Sequence, residues 1–295
     1  MTDYIDVFVG TDRSQLLAVG VLEHSIQRHT GERVRVCPLI DLDLPEPRDL
    51  RQGSRTNFSF ARFAIPELKH YQGRAIYLDA DMLVFRDIAE LWSLPFDGAT
   101  VVIQEELPET VVKTAKAGAP AKRIKQTAVM LIDCEKARWD VREIVAGLDG
   151  RYTYEQLMYE LCILPESEIR YGVPFAWNSL EHHDPDTRLL HYTDMDTQPW
   201  VSPDNRLGWL WLRELRLMIE TGALTRSDVE REIELGYFRP SLTRELEEMP
   251  HACGWNEAAA ARYRDIDRKA GFVKHAEVYR RKKLRAEAIK RMQKA

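Results

Sequence analysis

Two aspartates separated by one residue, Asp79-Ala80-Asp81, close the apolar run Ala75-Ile76-Tyr77-Leu78. In an extended chain residues i and i+2 project to the same side, so both carboxylates can leave one edge while Ala80 turns back into the fold. Holding two anions this close and partly out of water is unfavourable unless a cation or hydrogen bonds compensate. A hard divalent ion such as Mn²⁺ or Mg²⁺ is the natural partner for paired carboxylate oxygens. Such an ion can bridge to a diphosphate. A pair of acids after a strand also describes a solvated turn, so the surrounding elements decide the reading.

Those elements alternate. Residues 4–9 form a short apolar run ending at Gly10, and residues 14–28 place Leu17, Val21 and Ile26 at near-helical spacing. A second strand is expected at 33–37, then a helix-like stretch over 60–71, a third strand around 74–85, and further apolar runs at 99–104 and 127–133. Buried strands alternating with helices predict an α/β fold, a mostly parallel sheet covered on both faces, with ligands beyond the carboxyl ends of the strands. After about residue 200 the pattern becomes helical, as in 207–221 and 226–236. The expected division is a sheet-bearing domain over 1–200 and a helical extension over 201–295.

Composition narrows the function classes. A length of 295 residues with 44% hydrophobic and 30% charged residues is globular, and 15 Gly with 14 Pro are too few for a fibrous or low-complexity chain. The net charge of −5 supplies no whole-chain basic field, so no specific nucleic-acid partner is expected. Cys37, Cys134, Cys162 and Cys253 lie far apart with no CxxC pair, which suits reduced thiols. The start of the chain carries Asp3 and Asp6 where a leader would be basic and then apolar, and no long apolar run follows. A cytoplasmic protein is expected. The last 28 residues, 268–295, carry eleven Lys or Arg against Glu277 and Glu287. This basic tail reads as a solvated helix or as a weak contact with anionic lipid at the inner face of a membrane.

The string YLDADMLVFRDIAELW, about seventy residues beyond the strand-turn-helix opening, resembles the metal-binding segment of GT-A fold glycosyltransferases. It is most similar to family 8, which contains glycogenin-like and bacterial lipooligosaccharide galactosyltransferases. The resemblance spans roughly residues 4–200 and implies a Rossmann-like GT-A fold, an Mn²⁺ (or Mg²⁺) cofactor and a UDP-sugar donor. It also implies hexose transfer with retention of configuration to a carbohydrate, lipid-linked or protein acceptor. Carried onto this chain, it puts Thr11 and Asp12 beside the uracil and ribose, Arg62 near the sugar and phosphates, and Ala80 in the donor site between the catalytic, metal-binding Asp79 and Asp81. It puts Gln126 and Thr127 at the sugar, and either Glu155 or Gln156 at the anomeric carbon. Pro174-Phe175-Ala176-Trp177-Asn178 falls toward the acceptor.

The segment Leu189-Leu190-His191-Tyr192-Thr193 followed by Gln198-Pro199-Trp200 is similar to the family's His-Tyr-Thr-Gly and Lys-Pro-Trp strings. His191 is thereby the implied third metal ligand. The interval from His191 to Pro199 is one residue longer than usual, and Gln198 replaces a lysine that contacts the diphosphate. An amide can donate to phosphate but cannot neutralise it. Two other functions compete with transfer. A nucleotidyltransferase would open with a Gly-rich basic loop, of which Gly10-Thr11-Asp12-Arg13 offers little. A non-catalytic scaffold would bind nucleotide sugar without turnover.

Overall fold

A computed structural model describes residues 4–54, 56, 58–104, 125–248 and 254–293. Among these, β2 (Val34–Leu39), β1 (Ile5–Gly10), β3 (Arg74–Asp79), β6 (Val129–Asp133), β5 (Val101–Gln104) and β7 (Ile169–Val173) form one sheet in that spatial order. β1 runs parallel to β2 and β3, and β5 parallel to β7, while β6 opposes both its neighbours. The sheet is α/β and mixed, as the alternating pattern anticipates. β7 is a strand that the periodicity did not single out.

The expected third strand is two strands. Its buried residues Ala75 to Leu78 pair with β1 and β6, but pairing with β1 ends where Asp79 meets Gly10. The chain then leaves the sheet at Ala80-Asp81. It resumes as β4 (Met82–Val84), which joins β9 (Leu189–His191) and β8 (Ser179–Leu180) in a second, small sheet. The two aspartates thus sit at the step from one sheet to the other.

Alternation along the strands sorts the core. Ile76 and Leu78 face α1 (Leu16–His29) through Val19, Leu22 and Ile26, whereas Ala75 and Tyr77 join Phe63, Ile132 and Leu157 on the other side. α2 (Ile65–Leu68), α4 (Val141–Gly147) and α5 (Tyr154–Glu160) cover that second face, and α3 (Ile88–Trp92) packs with α1. Beyond residue 200 come α6 (Gly208–Thr221), α7 (Arg226–Glu234), α8 (Leu242–Glu248), α9 (Glu257–Lys269) and α10 (Ala276–Met292).

The first three of these helices share a core with α1 and the small sheet. Trp200, Trp211, Phe238 and Leu242 pack against Leu17 and Val21 of α1 and against Leu83 and Leu190 of the small sheet. Truncating one of the large aromatics to alanine would cost about 3 to 5 kcal/mol. α10 buries no side chain. No helix of the described residues is long and apolar enough to cross a membrane. Cys37, Cys134 and Cys162 are free thiols, and Cys253 and residues 294–295 of the tail lie outside the described residues.

Candidate functional site

Asp79 ends β3, Asp81 precedes β4 and His191 ends β9. The antiparallel register sets Met82 opposite His191, and the Tyr192 amide donates to the Asp81 carbonyl at 2.8 Å. One ligand atom from each of Asp79, Asp81 and His191 consequently falls within 4.8 Å of the others.

Asp79 is held from the sheet. Tyr77, two residues earlier and on the same face, donates its hydroxyl to Asp79 Oδ1 at 2.6 Å. Burial pushes the Tyr77 phenol well above the usual range, so it remains a donor. Arg62, from the 3-10 turn Ala61–Ala64, stacks 4.3 Å from the Tyr77 ring centre and donates to the Tyr77 hydroxyl at 3.0 Å. Its other Nη donates to the Thr127 carbonyl at 2.6 Å, and Asp79 Oδ1 lies 3.5 Å from the guanidinium. Gly10 makes this packing possible, because any Cβ at that position would collide with the Tyr77 hydroxyl.

Asp81 is held from the small sheet. Gln198 Nε2 donates to Asp81 Oδ2 at 2.7 Å. Asn178 Nδ2 donates to Gln104 Oε1 at 2.5 Å, which leaves Asn178 Oδ1 to accept from His191 Nδ1 at 2.9 Å. Nδ1 therefore carries a proton, and His191 Nε2 is turned toward Asp81 Oδ1 at 3.1 Å. Asp81 Oδ1 has no hydrogen-bond partner. In neutral His191 two lone pairs would face each other across that gap, so a cation, either a proton or a metal ion, belongs between them. Burial alone would lower the His191 pKa, but the neighbouring Asp81 carboxylate overrides it and the net shift is upward.

Next to this cluster lies a cavity of about 270 Å³. Asp79, Ala80, Asp81 and His191 line it together with Arg62, Gln126, Thr127 and Ala128 and with Tyr154, Met158 and Tyr159. Gln15, Thr56, Ser59 and Thr193 complete the lining. Gln15 Oε1, Gln126 Nε2 and Thr193 Oγ1 are buried without a hydrogen-bond partner.

Several residues singled out from sequence do not line this space. Thr11 is buried, its hydroxyl bonded to the Asp12 carbonyl, and Asp12 caps the following 3-10 turn by accepting from Ser14. Gln15 lines the cavity from that segment instead. Gln198 is buried on Asp81 and its amide is not part of the lining. Glu155 and Gln156 both point outward, and Gln156 closes a capping box with Thr153. The physical reason is helix phase: Tyr154, Leu157 and Met158 form the buried face of α5, and the two residues between them turn to solvent. Asn178, expected near an acceptor, is buried behind His191.

Comparison with known proteins places this geometry. The sequence model for glycosyl transferase family 8 matches residues 17–144. Protein CDI of Arabidopsis thaliana is 32% identical over 228 residues, which cover 71% of this chain and 85% of that protein. The chain belongs to glycosyl transferase family 8. Its fold also recurs in solved glycosyltransferases. Galactosyltransferase LgtC, in complex with donor and acceptor sugar analogues, superposes with a TM-score of 0.51 at 17% identity, covering 75% of this chain and 96% of LgtC. GlyE of Streptococcus pneumoniae superposes at 0.52 with 16% identity, covering 82% of this chain and 66% of GlyE.

In this family 8 chain the donor set suits a divalent ion, since two carboxylates and one imidazole oriented through its other nitrogen are a common ligand combination. The uncompensated Asp81 Oδ1 is the observation that a bound ion would resolve. Sequence reasoning missed Tyr77, Gln104 and Gln15. Tyr77 carried a signal, being a hydroxyl in an otherwise aliphatic buried strand and in phase with Asp79. Gln15 and Gln104 carried none, because a glutamine at a helix start or strand end is commonplace.

Proposed function

We propose that this glycosyltransferase is metal-dependent and transfers a hexose from a UDP-sugar to a carbohydrate-bearing acceptor, with retention of configuration. The observation that supports it best is the convergence of Asp79, Asp81 and a tautomer-fixed His191 in the lining of a cavity of about 270 Å³. A divalent ion there, most simply Mn²⁺ given the mixed oxygen and nitrogen set, would neutralise the diphosphate and the charge that develops on it as it departs. The chain supplies orientation: Tyr77 and Arg62 fix Asp79, Gln198 fixes Asp81, and Asn178 fixes His191.

Gln126 Nε2, an unpartnered donor of the lining, is the group offered to sugar hydroxyls, while the Thr127 hydroxyl accepts from Arg62 at 3.0 Å. Among the described residues Asp79 and Asp81 are the only carboxylates lining the cavity, and both belong to the ligand cluster. This favours retention without a protein nucleophile. The acceptor hydroxyl bonds to the anomeric carbon on the face from which the diphosphate leaves, and its proton passes to the departing phosphate oxygen.

A panel of UDP-sugars with Mn²⁺, followed by release of UDP and by NMR of the product anomer, tests the proposal. Turnover abolished by EDTA and restored by Mn²⁺, with the donor's anomeric configuration kept, is the expected result. An inverted product refutes retention. UDP binding without turnover on any donor or acceptor offered refutes catalysis and leaves a scaffold.

A further inference from the structure

The basic tail does not hang free. Its helix α10 starts at His275, whose backbone is left-handed at φ 45°, a conformation that costs a non-glycine residue on the order of 1 kcal/mol or more. At this corner His275 Nε2 donates to the Met195 carbonyl at 2.9 Å and Lys274 Nζ donates to the Asp196 carbonyl at 2.5 Å. One helical turn on, the Tyr279 hydroxyl donates to Asp196 Oδ1 at 2.7 Å. The loop that receives these bonds also holds Thr193, one of the unpartnered atoms lining the cavity.

The same helix then reaches a second segment. Arg281 comes to 3.9 Å from Glu46, and Arg285 lies so close to Gly53 that a Cβ there would stand 2.7 Å from its Nη1. Thr56 and Ser59 of the cavity lining follow Gly53 by three and six residues in the sequence, and Gln52 accepts from the Tyr154 amide at the start of α5. His275 to Arg285 spans about 15 Å at 1.5 Å per helical residue, enough to bridge the two segments. Through the Met195 and Asp196 carbonyls the corner is anchored four and five residues beyond His191 of the metal-ligand cluster. With Nε2 donating to Met195, His275 Nδ1 is left as an acceptor. α10 buries no side chain, so its attachment is polar and readily reversible.

From these contacts we infer that α10 is a strap across the donor cleft, and that its Lys274-His275 corner forms part of the binding site for a nucleoside diphosphate. Lys274, bonded to the Asp196 carbonyl three residues beyond the lining Thr193, brings positive charge beside a cavity whose lining cation among the described residues is Arg62, already committed to Tyr77 and Thr127. This rests on reading the cavity as a donor site.

Calorimetric titration of the full chain with UDP in the presence of Mn²⁺, and separately with Mn²⁺ alone, tests the inference in the parent, in His275→Gly and in Tyr279→Phe. Glycine keeps the left-handed backbone while deleting the imidazole, and phenylalanine deletes one hydroxyl. His275→Gly is expected to weaken UDP about tenfold and Tyr279→Phe several-fold, with the affinity for Mn²⁺ alone unchanged. Saturating UDP with Mn²⁺ should also slow tryptic cleavage within Arg280 to Arg285. If the parent binds UDP and both variants match it, or if UDP and Mn²⁺ affinities fall together, the strap is refuted while the donor reading stands. If the parent binds no UDP, the donor reading fails and the strap fails with it.

Discussion

Two parts of the cavity lining are built differently. In the metal-ligand part every side chain is fixed by a second one: Asp79 by Tyr77 and Arg62, Asp81 by Gln198, and His191 by Asn178 and in turn Gln104. Elsewhere in the lining Tyr154 and Met158 of α5 present largely apolar surface, and the polar atoms of Gln15 and Gln126 have no partner. Charged chemistry must be pre-organised, because an unpaired ion in a partly buried site is costly. A site for a neutral sugar can keep its hydrogen bonds in reserve for the ligand. The metal-ligand part is therefore where substitution should do most damage.

The largest effect is expected from Asp81→Asn, which removes a charge from the ligand cluster. Steady-state assays should show a loss of at least about a hundredfold in kcat, and a loss below tenfold would detach the cluster from the chemistry. Asn178→Ala leaves all three ligands in place but frees the imidazole to rotate. Mn²⁺ affinity should fall about ten- to a hundredfold in a calorimetric titration, and an unchanged affinity would mean that the Asn178–Gln104 pair is packing alone.

Acidity probes the same part more gently. Proton and metal ion compete for His191 Nε2, so Mn²⁺ affinity should fall about tenfold per pH unit below the raised His191 pKa and level off above it. In the metal-free protein the sign reverses. Because the folded pKa lies above the unfolded value, the proton's stabilisation is complete below about pH 6.5 and is lost as pH rises through the folded value. Melting curves across pH, with EDTA and with Mn²⁺, should slope in opposite directions, and parallel slopes would contradict the competition. The smallest effect belongs to α5. Glu155→Gln should change kcat by less than about twofold, the usual range for an exposed residue. A collapse of activity with a trapped glycosyl adduct in the parent would instead make Glu155 a nucleophile.

This contrast also explains what the sequence made legible. Asp79, Asp81 and His191 could be read because carboxylates at i and i+2 after a buried strand, and a histidine in a recurring string, constrain chemistry strongly. The alternation of strands and helices was equally plain, since burial on both faces of a sheet writes itself as continuous apolar runs. The break between β3 and β4 was hidden because apolar residues continue on both sides of it, and only the change of partner from β1 to β9 reveals it. Asp12 and Gln156 looked like ligand contacts, yet their side chains close local caps, a use that short polar residues near helix starts often find. The outward turn of Glu155 depends on the phase of a seven-residue helix, where a shift of one position moves a side chain by about 100°. The tail's charge suggested solvent or lipid, and nothing in its composition pointed to Asp196 and Glu46 as its partners.

The central claim is that Asp79, Asp81 and His191 together hold one divalent ion at the cavity. Anomalous diffraction from crystals grown with Mn²⁺ and UDP tests it most directly. The account predicts a single manganese peak within roughly 2.1 to 2.3 Å of both carboxylates and of His191 Nε2. A peak bound elsewhere, or UDP seated in the cavity with no manganese beside these three side chains, would contradict it.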